Sequence, residues 1–187
     1  MKKLNAKQLR VSEPTEEEIK NIKRNPIYFV LDRIIDTYNI GSLFRLADAV
    51  AAQKMYLCGE MEYPPNSRIH KAAVGTENWV PWEKSNSTIE TIRNLKAKGT
   101  QTIAIEQHSK SIAYTELRGA SSAYSLLPSA LSSPVAIIIG NETGGIEQQV
   151  LDEVDLIVEL PMHGVNISMN TWGCAAVVAY KILEQII

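Results

Sequence analysis

Apolar residues in this chain occur either in short continuous runs or at helical spacing. Ile27 to Leu31 is an unbroken β-rich run, typical of a strand that is buried on both faces of a parallel sheet. Lys54 to Cys58 predicts a second short strand, which Gly59 closes. Between them, Leu43, Leu46, Ala47 and Val50 form an apolar stripe at helical spacing. Asn39 or Ser42 is the candidate N-cap of this helix. The pattern predicts a β-α-β unit with a right-handed crossover.

The same alternation continues towards the C-terminus. The segment 109–133 has no clear period and predicts irregular structure with one short helix. The other predicted elements are a helix from Ser87 to Lys98, strands at Thr102 to Glu106 and Val135 to Ile139, a helix from Ile146 to about Glu153, a strand at Leu156 to Leu160 and a terminal helix beginning at Ser168 or Asn170. This order predicts an α/β fold, with a mostly parallel sheet and helices on both faces.

Residues 1–26 differ from the rest and predict a basic N-terminal extension, which leaves 27–187 as the main domain. The extension carries seven Lys or Arg residues and four Glu, and it has few large apolar residues. Glu16 to Lys20 favours a short exposed helix before the break at Asn25-Pro26. Because the whole chain has a net charge of −2, any contact with a polyanion must come from local basic clusters.

The composition restricts the classes of protein to consider. With 187 residues, 45% hydrophobic and 21% charged, the chain is typical of one globular domain. Its apolar runs are shorter than the ~20 residues of a membrane helix, and its first lysines are followed by polar residues instead of an apolar signal segment. We therefore expect a cytoplasmic protein without a membrane partner. Cys58 and Cys174 lack CxxC spacing and the three His residues are scattered, so we predict two inert core thiols and no metal site.

Three predicted loops at the carboxyl ends of strands carry the candidate chemistry. The first runs from Asn39 to Arg45, two residues that lie about one and two-thirds helical turns apart and point in neighbouring but not identical directions. The second, Gly140 to Gly145, combines glycines with a carboxylate, and the third, Pro161 to Asn170, ends in Ser-x-Asn at a helix start. Taken singly, each loop also fits a helix cap or a tight turn. None matches a Walker or dinucleotide-binding loop.

Together, the three loops resemble the SpoU/TrmH family of RNA ribose methyltransferases, within the SPOUT superfamily. The resemblance covers about 27–187 and rests on the motifs N-x-G-x-x-x-R (Asn39, Gly41, Arg45), G-N-E-x-x-G (Gly140 to Gly145) and P-M-x-G-x-x-x-S-x-N (Pro161 to Asn170). The segment from His70 to Glu77 is also similar to one found in TrmH-like members. The resemblance implies a C-terminal trefoil knot and S-adenosyl-L-methionine as cofactor. It also implies a homodimer in which the partner's first motif completes each site.

The resemblance further implies roles for particular residues. The catalytic candidates are Asn39, Arg45, Glu142, Ser168 and Asn170. The cofactor-binding candidates are Gly140, Asn141, Glu142, Gly145, Leu160, Met162, Ser168 and Met169. The RNA-binding candidates are Arg33, Arg45, Arg68 and Lys71. Because a guanidinium normally stays protonated, we expect Arg45 to hold the target phosphate and stabilise a developing alkoxide instead of acting as a base.

The implied activity is methylation of a ribose 2′-hydroxyl in tRNA or rRNA. Two alternatives stay open: an RNA-binding protein of the same fold without methylation activity, and a base methyltransferase of the same superfamily. The first alternative is kept open by the acidic charge of the chain after residue 26 and by Trp172, a bulky residue where the family often has a small one, which would narrow the site or pack in a dimer interface. The second is disfavoured by the pairing of Asn39 and Arg45 with Ser168 and Asn170, which resembles the ribose-modifying branch.

Overall fold

A computed structural model describes residues 14–119 and 130–186 of the chain. The helices are α1 (Glu16–Asn21), α2 (Thr37–Ala49), α3 (Ser67–Ala73), α4 (Thr88–Ala97), α5 (Gln148–Leu151) and α6 (Thr171–Ile186). The strands are β1 (Asn25–Asp32), β2 (Ala52–Cys58), β3 (Trp82–Ser85), β4 (Gln101–Ile105), β5 (Ile112–Ala113), β6 (Arg118–Gly119), β7 (Ala130–Leu131), β8 (Val135–Ile139) and β9 (Leu156–Glu159). Two short 3₁₀ helices span Thr76–Asn78 and Tyr114–Glu116.

Strands from both halves of the chain form one parallel sheet, in the order β3-β2-β1-β8-β4-β9-β5. β1 and β8 are central and pair in register from Ile27 with Val135 to Leu31 with Ile139. Every residue of β8 is buried, which explains its uninterrupted apolar sequence. The chain runs from β1 towards the β3 edge and later fills the other side of β8. This reversal creates a topological switch point between β1 and β8, where α/β proteins commonly bind ligands.

Helices cover both faces of this sheet, as the alternation of elements predicts. On one face the core packs residues of α2, α3 and α6 against the odd-numbered positions of β1 and β8. On the other face α4 and α5 pack against the alternate positions, among them Val30 and Ile138. Because successive side chains of a strand point to opposite faces, a strand between two helical layers needs apolar residues at every position. The predicted α/β fold class is therefore confirmed.

Several predicted boundaries are wrong, each for a local reason. β1 begins at Asn25, two residues before the predicted start. Neither Asn39 nor Ser42 caps α2, because Asp36 does so by accepting a hydrogen bond from the backbone N–H of Tyr38 at 2.8 Å. Of the two candidate starts for the terminal helix, Asn170 is the cap, since its side-chain oxygen accepts the Trp172 N–H at 3.0 Å. Ser168 lies before the helix.

The remaining differences concern α5 and the segment 109–133. The helix predicted from Ile146 contains just Gln148–Leu151, because the backbone of Glu147 is extended, with a φ of −63° and a ψ of +147°, and therefore lies before the helix. In 109–133 the structure has β5, the second 3₁₀ helix, β6 and β7, while 120–129 lie outside the described residues. Lys2, Lys3, Lys7 and Arg10 of the predicted basic extension also lie outside them. In the described part of the chain, no helix has the length and apolar character needed to cross a membrane.

A close contact between α2 and α3 explains the glycine of the first motif. A Cβ atom on Gly41 would lie 2.5 Å from the Ile69 carbonyl oxygen and 2.8 Å from the Ala73 nitrogen. Both neighbours are backbone atoms of α3, so they cannot move aside as a flexible side chain would. Gly41 thus lets α3 pack directly on the helix that also carries Asn39 and Arg45.

We predict that Gly41→Ala lowers the free energy of unfolding by about 1–3 kcal/mol, because overpacking at this contact outweighs the better helix propensity of alanine. Denaturant unfolding followed by circular dichroism measures the change. Gly164→Ala is the control, since a Cβ at Gly164 meets no atom within 4 Å, and it should have little effect. Equal stability of the two variants would contradict this role for Gly41.

Candidate functional site

The Glu142 carboxylate joins the loop after β8 to the start of α2. It accepts hydrogen bonds from the backbone N–H groups of Ile35 at 2.9 Å and Asp36 at 3.1 Å. It also accepts a hydrogen bond from the Asn39 side-chain amide at 2.6 Å. These donors, which belong to the segment that follows β1, fix the second motif against the first across the switch point between β1 and β8.

Asn39 extends this connection to the third motif. Its side chain is 4% exposed, and its Oδ1 accepts a hydrogen bond from the Asn170 amide at 3.1 Å. A buried amide needs partners for both its donor and its acceptor, and Glu142 and Asn170 supply them. The chain of hydrogen bonds from Glu142 through Asn39 to Asn170 therefore holds together three segments that are far apart in sequence. We call it the amide chain.

The surroundings of Glu142 favour its ionised form. Partial burial raises the pKa of this carboxyl, but hydrogen bonds from Asn39 and from the backbone of Ile35 and Asp36 lower it by more, so the net pKa lies below its usual value of 4.5. Glu142 is thus a carboxylate at neutral pH with its donors already in place. Its position suits it better to holding the loops than to taking up a proton.

A cavity of about 540 Å³ opens beside the amide chain, at the carboxyl ends of β4, β8 and β9. The eight residues predicted to bind cofactor all line it: Gly140, Asn141, Glu142, Gly145, Leu160, Met162, Ser168 and Met169. Ile105 and Ile139 add apolar surface to its wall. Trp172 is 43% exposed and is not among the described residues that line the cavity, so it does not narrow the site within one chain.

The glycine-rich loop keeps its shape through close backbone contacts. The Asn141 side chain accepts hydrogen bonds from the N–H groups of Thr143 at 2.9 Å and Gly144 at 2.6 Å. Gly145 has a φ of +62°, and a Cβ there would collide with the Glu106 carboxylate. A Cβ on Gly140 would lie 2.5 Å from the Ile146 side chain. Both glycines are therefore needed for the loop to fold back against the end of β8.

The basic candidates have different surroundings. Arg45 is exposed, does not line the cavity and has no hydrogen-bond or salt-bridge partner among the described residues. Arg68 and Lys71 are exposed on α3. Arg33 forms ion pairs with Asp32 and Glu147, which already occupy its guanidinium. Of the four RNA-binding candidates, Arg33 is thus the one with an evident structural function.

A buried carboxylate holds His70 between Arg68 and Lys71. Glu77 is 7% exposed, and its Oε1 lies 2.5 Å from the Nδ1 of His70, whose side chain is largely exposed. The other oxygen of Glu77 is buried without a hydrogen-bond partner among the described residues. The imidazole is therefore fixed in orientation by Glu77 while most of its side chain stays exposed.

Sequence reasoning missed several residues that line the cavity. Glu106, Gln107 and His108 follow β4, and Cys174 on α6 is half-buried at the cavity instead of in the core. Gln107 donates a hydrogen bond to the Ile167 carbonyl at 2.6 Å and so ties this segment to the third motif. A signal for Glu106 was present, because an acidic residue directly after a buried parallel strand lies at the edge where ligands bind. Within 14–119 and 130–186, no group of His, Cys, Asp or Glu side chains is arranged to hold a metal ion.

Comparisons with known proteins match most of the chain. The model of the SpoU rRNA Methylase family matches residues 26–180. The 23S rRNA (guanosine-2'-O-)-methyltransferase RlmB of Neisseria meningitidis serogroup B is 28% identical over 170 residues, which are 91% of this chain and 63% of that protein. The chain thus spans about three fifths of the length of the curated relatives it matches.

Solved structures show the same fold. The AdoMet-bound rRNA methyltransferase from Sinorhizobium meliloti has a TM-score of 0.74 and 24% identity, and the match covers 89% of this chain and 59% of that one. The A. aeolicus TrmH/SpoU tRNA modifying enzyme has a TM-score of 0.74 and 20% identity, with 91% of this chain and 83% of that chain covered.

We predict that Glu142 stabilises the fold in a pH-dependent manner. Because its pKa is lowered on folding, the stabilisation is complete above the ordinary carboxyl pKa of 4.5 and is lost as the pH falls through the lower folded-state value. The difference in unfolding free energy between wild type and Glu142→Gln should be largest near pH 7 and shrink below pH 4.5. Denaturant titrations across this range measure it.

Glu90→Gln is the control for this pH series, because Glu90 is exposed and its carboxylate has no hydrogen-bond partner in the described part of the chain. It should differ little from wild type at every pH. If the difference in unfolding free energy between wild type and Glu142→Gln grew as the pH fell, it would contradict the stabilising role of the ionised Glu142.

Proposed function

Because the chain belongs to the SpoU rRNA Methylase family, we propose that it transfers a methyl group from S-adenosylmethionine to a ribose 2′-hydroxyl of rRNA or tRNA. The observation that carries the proposal is the amide chain, which joins the first motif to the second and third motifs, and residues of these two motifs line the cavity. The RlmB relative acts on guanosine of 23S rRNA by its name, and this supports RNA as the substrate class. A location in the cytoplasm belongs to the same proposal, and the trefoil knot stays a prediction.

The cavity suits S-adenosylmethionine in size and lining. About 540 Å³ lies within the range of small-molecule sites. Leu160, Met162 and Met169 offer apolar surface, while the Gly140–Gly145 loop offers backbone groups at close approach. When bound, S-adenosylmethionine supplies a methyl group on a positively charged sulfur, which is already activated for transfer. The protein must therefore hold the acceptor oxygen in place and favour loss of its proton.

In this proposal Arg45 binds the phosphate next to the target ribose and stabilises the negative charge that develops on the 2′-oxygen. Arg45 lies six residues after Asn39 on α2, about 9 Å along the helix axis and turned away from it. This geometry supports a site in which the Arg45 of one chain faces the cavity of another. Ser168 and Asn170 would orient the ribose, and Glu142 and Asn39 would hold the loops.

A homodimer is proposed for the same reason, and an exposed apolar face supports it. This face consists of side chains from the third motif and the outer side of α6, namely Val165, Ile167, Met169, Trp172, Val177 and Tyr180. Contiguous apolar surface of this kind is typical of protein interfaces. Trp172 would then pack against the second subunit instead of narrowing the cofactor cavity.

RNA would reach the site across α3. Arg68, Lys71 and the oriented His70 lie on this helix, which packs on the helix that carries Arg45. Since the chain has a net charge of −2, these local cations would supply the phosphate contacts. We leave Arg33 out of the proposed RNA surface because Asp32 and Glu147 neutralise it.

Nucleoside analysis tests the activity. Unmodified rRNA and tRNA are incubated with the protein and S-adenosylmethionine labelled in its methyl group, then digested and analysed by mass spectrometry. The proposal predicts a labelled 2′-O-methylated nucleoside. A labelled base would favour the base methyltransferase, and binding of RNA without any labelled product would favour the RNA-binding protein that does not methylate.

We predict that Arg45→Ala reduces methylation by at least 100-fold and changes the affinity for S-adenosylmethionine less than threefold, because the proposed role of Arg45 is to contact the RNA and not the methyl donor. Calorimetry measures the affinity, and methyl incorporation measures the activity. Arg93→Ala, an exposed arginine on α4, is the matched control and should keep activity. A parallel loss of cofactor affinity in Arg45→Ala would contradict the role.

We predict that wild type is a dimer in solution and that replacing Val177 and Tyr180 together with Asp yields monomers, because two charges would be buried in the proposed interface. Light scattering after size exclusion measures the mass. Tyr63→Asp, at an exposed tyrosine outside this face, should remain dimeric. A monomeric wild type would refute the dimer.

A further inference from the structure

Glu106 is an anchored carboxylate in the wall of the cavity. It directly follows β4, and its Oε2 accepts the Ile146 N–H at 2.9 Å while its Oε1 accepts the Gln107 N–H at 3.0 Å. The carboxylate also packs against the Cα of Gly145. A carboxylate has about four acceptor sites, so these two bonds leave part of its capacity free to face the cavity.

Glu159, the last residue of β9, adds a second carboxylate at the carboxyl end of the sheet, beside Glu106. Ile105 pairs with Val158 in the ladder between β4 and β9, so Glu106 and Glu159 are the next pair along these strands. Both side chains line the cavity. Because residues in register on neighbouring parallel strands point to the same side, we infer that the two carboxylates lie on the same side of the sheet at the end of the cavity formed by β4 and β9.

The charges around the cavity have one sign. Its described lining contains Glu106, Glu142 and Glu159 but no Lys or Arg. Three donors already occupy Glu142, whereas Glu159 has no hydrogen-bond partner among the described residues. The field of Glu106 reaches the opposite wall: burial raises the pKa of the Cys174 thiol, and the charge of Glu106 raises it further.

We propose that Glu106, assisted by Glu159, makes this site selective for the cationic methyl donor over its neutral product. The inference rests on the proposed function. S-adenosylmethionine carries a sulfonium, whereas S-adenosylhomocysteine has an uncharged thioether at the same place, and the two molecules otherwise share their polar groups. A carboxylate in the wall favours the charged form by Coulomb attraction and has little effect on the uncharged one. The protein would thereby release product after transfer.

Calorimetry with both ligands tests this selectivity. Wild type, Glu106→Gln and Glu159→Gln are titrated separately with S-adenosylmethionine and S-adenosylhomocysteine. Glutamine retains the shape of Glu106 and one oxygen that can accept the Ile146 N–H, so Glu106→Gln removes the charge together with the hydrogen bond from the Gln107 N–H. We expect the ratio of donor affinity to product affinity to fall about tenfold in Glu106→Gln and about threefold in Glu159→Gln. Glu90→Gln, which removes an exposed charge on α4, is the control and should leave the ratio unchanged.

The outcomes separate the role in selectivity from a structural role and from the proposed function. Equal weakening of both ligands in Glu106→Gln would mean that Glu106 supports the loop and nothing more, which overturns the proposal. If that variant does not fold, an unchanged ratio in Glu159→Gln overturns it instead. A wild type that binds neither ligand would refute the proposed function, whereas a wild type that binds the donor with a ratio insensitive to both changes refutes this inference alone.

Discussion

The site depends on the contact between Glu142 and the start of α2. One carboxylate accepts two backbone N–H groups and the Asn39 amide, and Asn39 in turn binds Asn170. Three segments separated by up to 131 positions meet through this chain of bonds. The hydrogen bonds to Glu142 lower its pKa by more than partial burial raises it, so the carboxylate stays charged. The charged carboxylate in turn holds the loop after β8 against the start of α2. The contact thereby holds the second and third motifs, which line the cavity, against the start of α2.

The sheet places these segments near each other. β1, β8, β4 and β9 are neighbours in a parallel sheet, so their carboxyl ends lie at one edge. Close backbone packing at three glycines then sets the local geometry. Gly41 allows α3 to pack directly on α2, and Gly140 and Gly145 allow the second motif to fold back against the end of β8. Gln107 adds a link from the end of β4 to the third motif. The site is therefore built from strand ends and close glycine contacts.

The sequence predicted the architecture well, because strands buried on both faces have continuous apolar runs and helices beside them have apolar stripes. Boundaries were predicted less well where side-chain contacts over long distances decide them. Glu106, 40 residues away in the sequence, accepts the Ile146 N–H just before α5, and no local pattern in the sequence shows this contact. Asn39 resembled a cap, yet its side chain is buried between Glu142 and Asn170. The order of motifs identified the cavity residues through resemblance, whereas the carboxylates at the ends of β4 and β9 required the strand register.

The most direct measurement is hydrogen–deuterium exchange of the whole protein with and without S-adenosylmethionine. The central claim is that residues 35–45, 140–146 and 160–171 form one site around the cofactor cavity. It predicts that ligand slows exchange in all three segments together, with β3 and α4 unchanged as internal references. Protection of one segment alone, or protection confined to residues distant from the cavity, would contradict it.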